Sequence, residues 1–163
     1  LAGGTAILLE IEPVDPRDML RGDYVTFQYD ISNLDLYIHR GQQIRNGDTV
    51  YVILSQNSKN KYWSAKNVQK TKPFVEIFIK GTVASGGTES KSDVFQSQRF
   101  GNSSVRQQER TLHVVYGIED YFIPEGKGQG FSFLNKNVAA SVVVDENGNS
   151  VLKQLYIDDK PWP

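Results

Sequence analysis

The chain has 163 residues, of which 39% are hydrophobic and 23% are charged. This composition supplies enough apolar surface for one packed core, so we predict a single domain that spans residues 1–163. The 18 Lys and Arg residues nearly balance the 19 Asp and Glu residues. No overall field therefore attracts nucleic acid, and we predict no nucleic-acid partner. The chain contains no cysteine, which excludes disulfide bonds, thiolate metal sites and a cysteine nucleophile.

Alternating apolar and polar residues recur along the whole chain, whereas no stretch keeps a 3.6-residue period over the length of a normal helix. This pattern predicts an all-β fold, mainly an antiparallel sandwich or a partly closed barrel, with at most short helical turns. In the first half of the chain the predicted strands are Thr5–Glu12, Tyr24–Ile31, Thr49–Leu54, Lys61–Lys70 and Phe74–Val83.

The second half of the chain begins with a stretch rich in Ser and Gly. For residues 85–104 we predict a mobile insertion, with a short strand at Val94–Phe100. Further strands are predicted at Thr111–Tyr116, Val138–Val144 and Val151–Ile157, and a short helical turn around Ile118–Phe122. Asn-Gly lies between the last two strands, which predicts a β-hairpin.

Residues 22–29 read GDYVTFQY, and residues 116–126 read YGIEDYFIPEG. The first block resembles the pattern of the GDYXXLXY family at four of its five fixed positions, with Phe27 in place of Leu. The PVDPRD sequence of residues 13–18 is similar to the lead-in of that family, and YGIEDYF is similar to its second block.

This resemblance implies a domain of a bacterial cell-envelope protein on the outer side of the cytoplasmic membrane. It further implies an N-terminal transmembrane anchor and a multispanning membrane protein as partner. It implies no reaction and no ligand. Because the chain begins at Leu1 rather than Met, we expect a segment upstream of it.

We predict that the working surface combines the loop from PVDPRD to GDY with the YGIEDYF block. Loops dense in charged, aromatic and glycine residues are where a rigid scaffold carries specificity. The candidate binding residues are Asp15, Arg17, Asp18, Arg21, Gly22, Asp23, Tyr24, Tyr29, Tyr116, Gly117, Glu119, Tyr121 and Glu125. Since Tyr24 and Tyr29 have opposite parity on a strand, we expect one to be buried and the other exposed or covered by a loop.

No catalytic constellation and no cofactor motif is recognisable. Three aspartates between residues 15 and 23 could hold a hard cation, but the arginines between them favour an ion-paired turn, so we predict no metal. The leading interpretation is a non-catalytic binding or accessory domain. Two alternatives stay open, a hydrolase that cleaves an envelope polymer through Asp23, Glu119 or Glu125, and a carrier of a small molecule or lipid in a cavity lined by Phe27, Phe78 and Tyr116.

Residues 49–75 contain no acidic residue, and Lys59, Lys61, Lys66, Lys70 and Lys72 interleave there with Tyr62 and Trp63. One interpretation is a contact with anionic lipid through these lysines. The other, which we favour, is an edge strand that solvated lysines protect from pairing with other chains.

Overall fold

The computed structural model describes residues 4–12, 20–21, 24–35, 38, 42–87, 111–123 and 136–163. The strands, in chain order, are β1 (Thr5–Glu10), β2 (Leu20–Arg21), β3 (Tyr24–Thr26), β4 (Asn33–Leu34), β5 (Thr49–Gln56), β6 (Trp63–Gln69), β7 (Phe78–Ser85), β8 (Leu112–Val115), β9 (Asp120–Phe122), β10 (Val138–Val144), β11 (Ser150–Ile157) and β12 (Lys160–Trp162). A 3-10 turn lies at Asp30–Ser32.

The strands form three antiparallel sheets. The five-stranded sheet has the order β4-β8-β7-β5-β6, the four-stranded sheet the order β1-β10-β11-β12, and the three-stranded sheet the order β2-β3-β9. Over the part of the chain that the structure describes, none of them closes into a barrel. The predicted all-β, mainly antiparallel fold is confirmed.

The predicted hairpin near the C-terminus is present as β10 and β11. Gly148 at its tip has a φ of +82°, a conformation that glycine adopts without the steric cost of a side chain. The carboxylate of Asp145 accepts hydrogen bonds from the backbone N–H groups of Asn147 and Asn149, both at 2.9 Å. Local turn chemistry therefore fixes this hairpin, which is why the sequence predicts it well.

Buried side chains of all three sheets join one continuous hydrophobic core. Leu9 of the four-stranded sheet, Val25 of the three-stranded sheet and Val52 of the five-stranded sheet are all fully buried in it. The short three-stranded sheet is thus attached to the main core by the inner face of β3.

Three predicted elements are corrected. The strand predicted at Phe74–Val83 begins only at Phe78, because the ladder with β5 starts where Ile53 pairs with Phe78. The strand predicted at Tyr24–Ile31 ends at Thr26 and is followed by the 3-10 turn. The helical turn expected around Ile118–Phe122 is wrong, because Asp120–Phe122 pairs with β3. The predicted strand Val94–Phe100 lies outside the described residues, as does most of the predicted insertion.

Candidate functional site

The described part of the GDYVTFQY block lies next to the YGIEDYF block. Strands β3 and β9 are antiparallel neighbours, with Tyr24 opposite Phe122 and Val25 opposite Tyr121. Arg21 in β2 pairs with Tyr24 on the other side of β3. Six of the thirteen candidates lie outside the described residues: Asp15, Arg17, Asp18, Gly22, Asp23 and Glu125.

Two tyrosines link these parts of the chain by hydrogen bonds, one donated from each side. The hydroxyl of Tyr29, in the first block, donates to the carbonyl oxygen of Ile118 at 2.5 Å. The hydroxyl of Tyr116, in the second block, donates to the carbonyl oxygen of Ile31 at 2.6 Å. Both rings are buried, with 0% of Tyr29 and 7% of Tyr116 exposed. We call this arrangement the tyrosine latch.

Burial also fixes the protonation state of the latch. Loss of solvation, and secondly the nearby carboxylate of Glu119, raises the pKa of Tyr29 and of Tyr116 well above the usual range of a phenol. Both hydroxyls therefore stay protonated and available as donors. A buried neutral phenol that bonds a backbone carbonyl serves structure rather than proton transfer.

Glu119 is held by the backbone. Its two carboxylate oxygens accept hydrogen bonds from the N–H groups of Tyr116 and Gly117, both at 2.8 Å. Its own carbonyl oxygen accepts from the N–H of Phe27 at 3.0 Å. Gly117 has a φ of +86°, which a residue with a side chain adopts only at a cost. Glu119 thus caps a tight turn and links it to the first block.

The outer face of the β3–β9 pair carries the exposed side chains of this region. Tyr24 is 51% exposed and Phe122 is 56% exposed, and their rings meet edge to face with centroids 5.6 Å apart. Beside them, the hydroxyl of Thr26 donates to the carboxylate of Asp120 at 2.6 Å. The prediction that one of Tyr24 and Tyr29 is buried and the other exposed is confirmed. Val25 is buried and Tyr121 half-buried on the opposite face.

Sequence reasoning missed two features of this site. Phe122 was not among the candidates, because its exposure follows from a strand pairing with residues almost a hundred positions earlier. Glu119 was predicted as a binding residue, and in one alternative as a catalytic acid, but not as a cap. The signal for the cap was present, since a tyrosine and a glycine followed closely by a glutamate suit a side chain that bonds nearby backbone amides.

Most of the lysines proposed for lipid contact have protein partners. Lys61 forms an ion pair with Asp159, and Lys66 and Lys70 form ion pairs with Glu76 and Asp48 at 3.6 and 3.4 Å. These pairs are largely solvent-exposed, and such pairs contribute little to stability. A contact of these lysines with anionic lipid stays a prediction.

A pocket of about 360 Å³ lies on the outer side of the four-stranded sheet. Leu8 pairs with Ser141 and Ala139 pairs with Tyr156, so these four residues share one face of the sheet and form the floor of the pocket.

The β5–β6 turn supplies one wall of the pocket. The hydroxyl of Tyr62 accepts a hydrogen bond from the side-chain amide of Asn137 at 2.8 Å, and the ion pair between Lys61 and Asp159 lies at the rim. Trp63 lines the pocket as well. The lining combines aromatic rings, amides and a balanced pair of charges, which suits a small neutral molecule with both apolar and polar edges.

The three residues predicted to line the cavity of a carrier are buried. Phe27, Phe78 and Tyr116 are 2%, 4% and 7% exposed and pack in the interior, and the pocket described above is lined by other residues. Within the described ranges no group of three or more His, Cys, Asp or Glu residues is placed to hold a metal ion. No helix in the described part of the chain has the length and hydrophobicity needed to cross a membrane.

The family model described as GDYXXLXY protein matches residues 1–155. No curated protein and no solved structure matches the chain.

Proposed function

The chain belongs to the GDYXXLXY family, and we propose that it is the non-catalytic binding or assembly domain of a membrane-anchored bacterial envelope protein. The observation that supports this most directly is the state of Glu119. Both of its carboxylate oxygens are occupied by backbone amides at 2.8 Å. A general acid or base must reach a proton on its substrate. Each oxygen of Glu119 already accepts a hydrogen bond from a backbone amide, which supports a structural role for this side chain.

The rest of the described motif supports the same proposal. Tyr29 and Tyr116 are buried and bonded to backbone carbonyls, so the matching blocks build a scaffold. What this scaffold leaves in solvent is the aromatic pair Tyr24 and Phe122. Aromatic side chains are enriched at protein interfaces and often carry much of the binding energy.

The partner that we propose for this aromatic pair is a multispanning membrane protein. The domain would be tethered by an N-terminal transmembrane segment on the outer side of the cytoplasmic membrane. Protease added to intact spheroplasts tests this location. We expect the domain to be cleaved without lysis, and protection from the protease until lysis would contradict the location.

Site-specific photo-crosslinking tests the proposed surface in the full-length protein in its own membrane. A photoreactive phenylalanine analogue replaces Tyr24 or Phe122, and Val151 of β11, 36% exposed on a different sheet, is the matched control position. We expect a light-dependent adduct with a multispanning protein from positions 24 and 122 only. Equal adducts from position 151, or none from positions 24 and 122, would overturn the proposal.

The pocket favours a second candidate function, the binding of a small neutral molecule such as a sugar ring. Its volume of about 360 Å³ lies near the lower end of the range for ligand sites, which is roughly 300–1,000 Å³. The rings of Tyr62 and Tyr156 offer apolar faces, and Asn137 and Ser141 offer polar groups.

Titration with N-acetylglucosamine, followed by tryptophan fluorescence, tests this candidate. We expect a saturable change that is lost in Trp63→Phe, because Trp63 lines the pocket and Trp162 does not. A second variant, Tyr156→Ala, keeps Trp63 as reporter and is expected to weaken binding. A linear or absent response in the unmodified protein would refute sugar binding.

A further inference from the structure

The connection between β6 and β7 holds two apolar side chains in solvent. Phe74 is 102% exposed and Val75 is 92% exposed. The other exposed large hydrophobic residues of the described ranges have between 36% and 56% of their surface in solvent. Phe74 and Val75 are therefore unusual, because no neighbouring group shields either of them.

The residues immediately before and after Phe74 and Val75 are held in place by contacts with the rest of the domain. Pro73 is buried just before Phe74. After Val75, the carbonyl oxygen of Ile77 accepts a hydrogen bond from the N–H of Leu54 at 2.9 Å, and Glu76 forms an ion pair with Lys66. The chain is thus anchored immediately on either side of the two exposed residues. We call residues 73–76 the apolar tip.

Two lysines shortly precede the apolar tip in the sequence. The ammonium group of Lys72 donates to the side-chain oxygen of Asn147 at 2.6 Å, so its charge is not offset by a carboxylate in that contact. Lys70 pairs with Asp48 at 3.4 Å, and 49% of its side chain is exposed. A fully exposed aromatic and aliphatic pair with adjacent cationic groups is the arrangement found at membrane–water interfaces.

We propose that the apolar tip inserts into the interfacial layer of a lipid bilayer, with Lys70 and Lys72 facing anionic headgroups. A stable protein interface needs about 800 Å² from each partner and a complementary shape. Two exposed side chains in a short connection supply too little area for such an interface, whereas a bilayer needs no matching pocket. Each basic residue near an anionic surface contributes additional attraction.

The absence of cysteine allows a direct test with a single label. Val75→Cys carries an environment-sensitive fluorophore, and Ser85→Cys, at the exposed end of β7 away from the apolar tip, carries the same label as a control. The probe is a vesicle of phosphatidylcholine and phosphatidylglycerol. We expect the emission from position 75 to shift to the blue and become protected from aqueous iodide, while position 85 stays unchanged. Equal behaviour at both positions would overturn the insertion.

A second measurement separates the apolar contribution from the charge contribution. The unlabelled double variant Phe74→Ser/Val75→Ser removes side chains that contact little else, so its melting temperature should match that of the unmodified chain. Its partition into the same vesicles should fall at least about tenfold. Lys72→Gln should lower partition only where phosphatidylglycerol is present.

Unchanged partition in the double variant, or no partition of the unmodified chain, would overturn the proposal. Because the vesicles contain no protein, either result leaves the proposed contact at Tyr24 and Phe122 untouched. A failed crosslink at those positions would likewise leave the lipid contact standing.

Discussion

Removing the hydroxyl groups of the tyrosine latch should destabilise the fold without changing its shape. In Tyr29→Phe the carbonyl oxygen of Ile118 loses a buried donor, and in Tyr116→Phe the carbonyl oxygen of Ile31 does. Leaving a buried polar group without its partner costs about 1–3 kcal/mol. We therefore expect each variant to lower the free energy of unfolding by about 1–3 kcal/mol. If the two hydrogen bonds are coupled, the free energy of unfolding lost by the double variant should differ from the sum of the losses of the two single variants.

The same tyrosines give the latch a signature in alkaline solution. Their pKa is raised in the folded state, so the stabilisation is complete below the unfolded pKa of about 10 and is lost as pH rises above it. Above that pH each tyrosine lowers the free energy of unfolding by about 1.4 kcal/mol per pH unit, so the two together lower it by about 2.8 kcal/mol per pH unit. The double variant Tyr29→Phe/Tyr116→Phe should lose that share of the slope.

Urea unfolding between pH 7 and pH 11 measures both effects, provided that the slope of the free energy against urea stays constant. The stabilising role of the latch is refuted if the free energies of unfolding of the variants lie within about 0.5 kcal/mol of that of the unmodified chain, which is the range of neutral surface substitutions. It is also refuted if the alkaline slope of the double variant equals that of the unmodified chain.

Three further substitutions test the turns around the site. Glu119→Ala leaves two backbone amides without their charged acceptor and should cost about 2–3 kcal/mol in urea unfolding, whereas an unchanged midpoint would contradict the capping role. Gly117→Ala meets no atom within 4 Å but forces a side chain to a φ of +86°, so a loss of about 1–2 kcal/mol is expected in the same assay; no loss would show that the turn relaxes. At the β10–β11 hairpin, partial burial opposes ionisation of Asp145, yet bonds from the side chain of Asn149 and from the amides of Asn147 and Asn149 lower its pKa overall. This stabilisation is present above the unfolded pKa of about 3.9 and is lost as pH falls through the lower folded pKa. The melting temperature of Asp145→Asn should therefore be lower than that of the unmodified chain at pH 7, and the two should converge in acid.

Local signals predicted much of the fold. The hairpin from Val138 to Ile157 was predictable because its turn is made by neighbouring residues, with Asp145 and Gly148 in defined roles. The strands of the core were predictable because one face of each is buried, which imposes the two-residue period.

Contacts distant in sequence account for the wrong predictions. Val75 follows the alternating pattern of a strand, but the connection from β6 must cross to β7, and the ladder has no partner for Val75. Asp120–Phe122 lacks a strong strand pattern and becomes a strand only by pairing with Tyr24–Thr26. The exposure of Phe122 follows from that pairing, so the aromatic pair could not be predicted from either block alone.

The most direct test of the proposed function is the crosslinking yield from position 24 in the full-length protein, measured with and without Phe122→Ser. Because the two rings are in contact, with centroids 5.6 Å apart, they should engage one partner together. We predict a light-dependent adduct with a multispanning membrane protein that falls sharply in Phe122→Ser, with no adduct from position 151. An adduct that is unaffected by Phe122→Ser and equally strong from position 151 would contradict the proposed function of this surface.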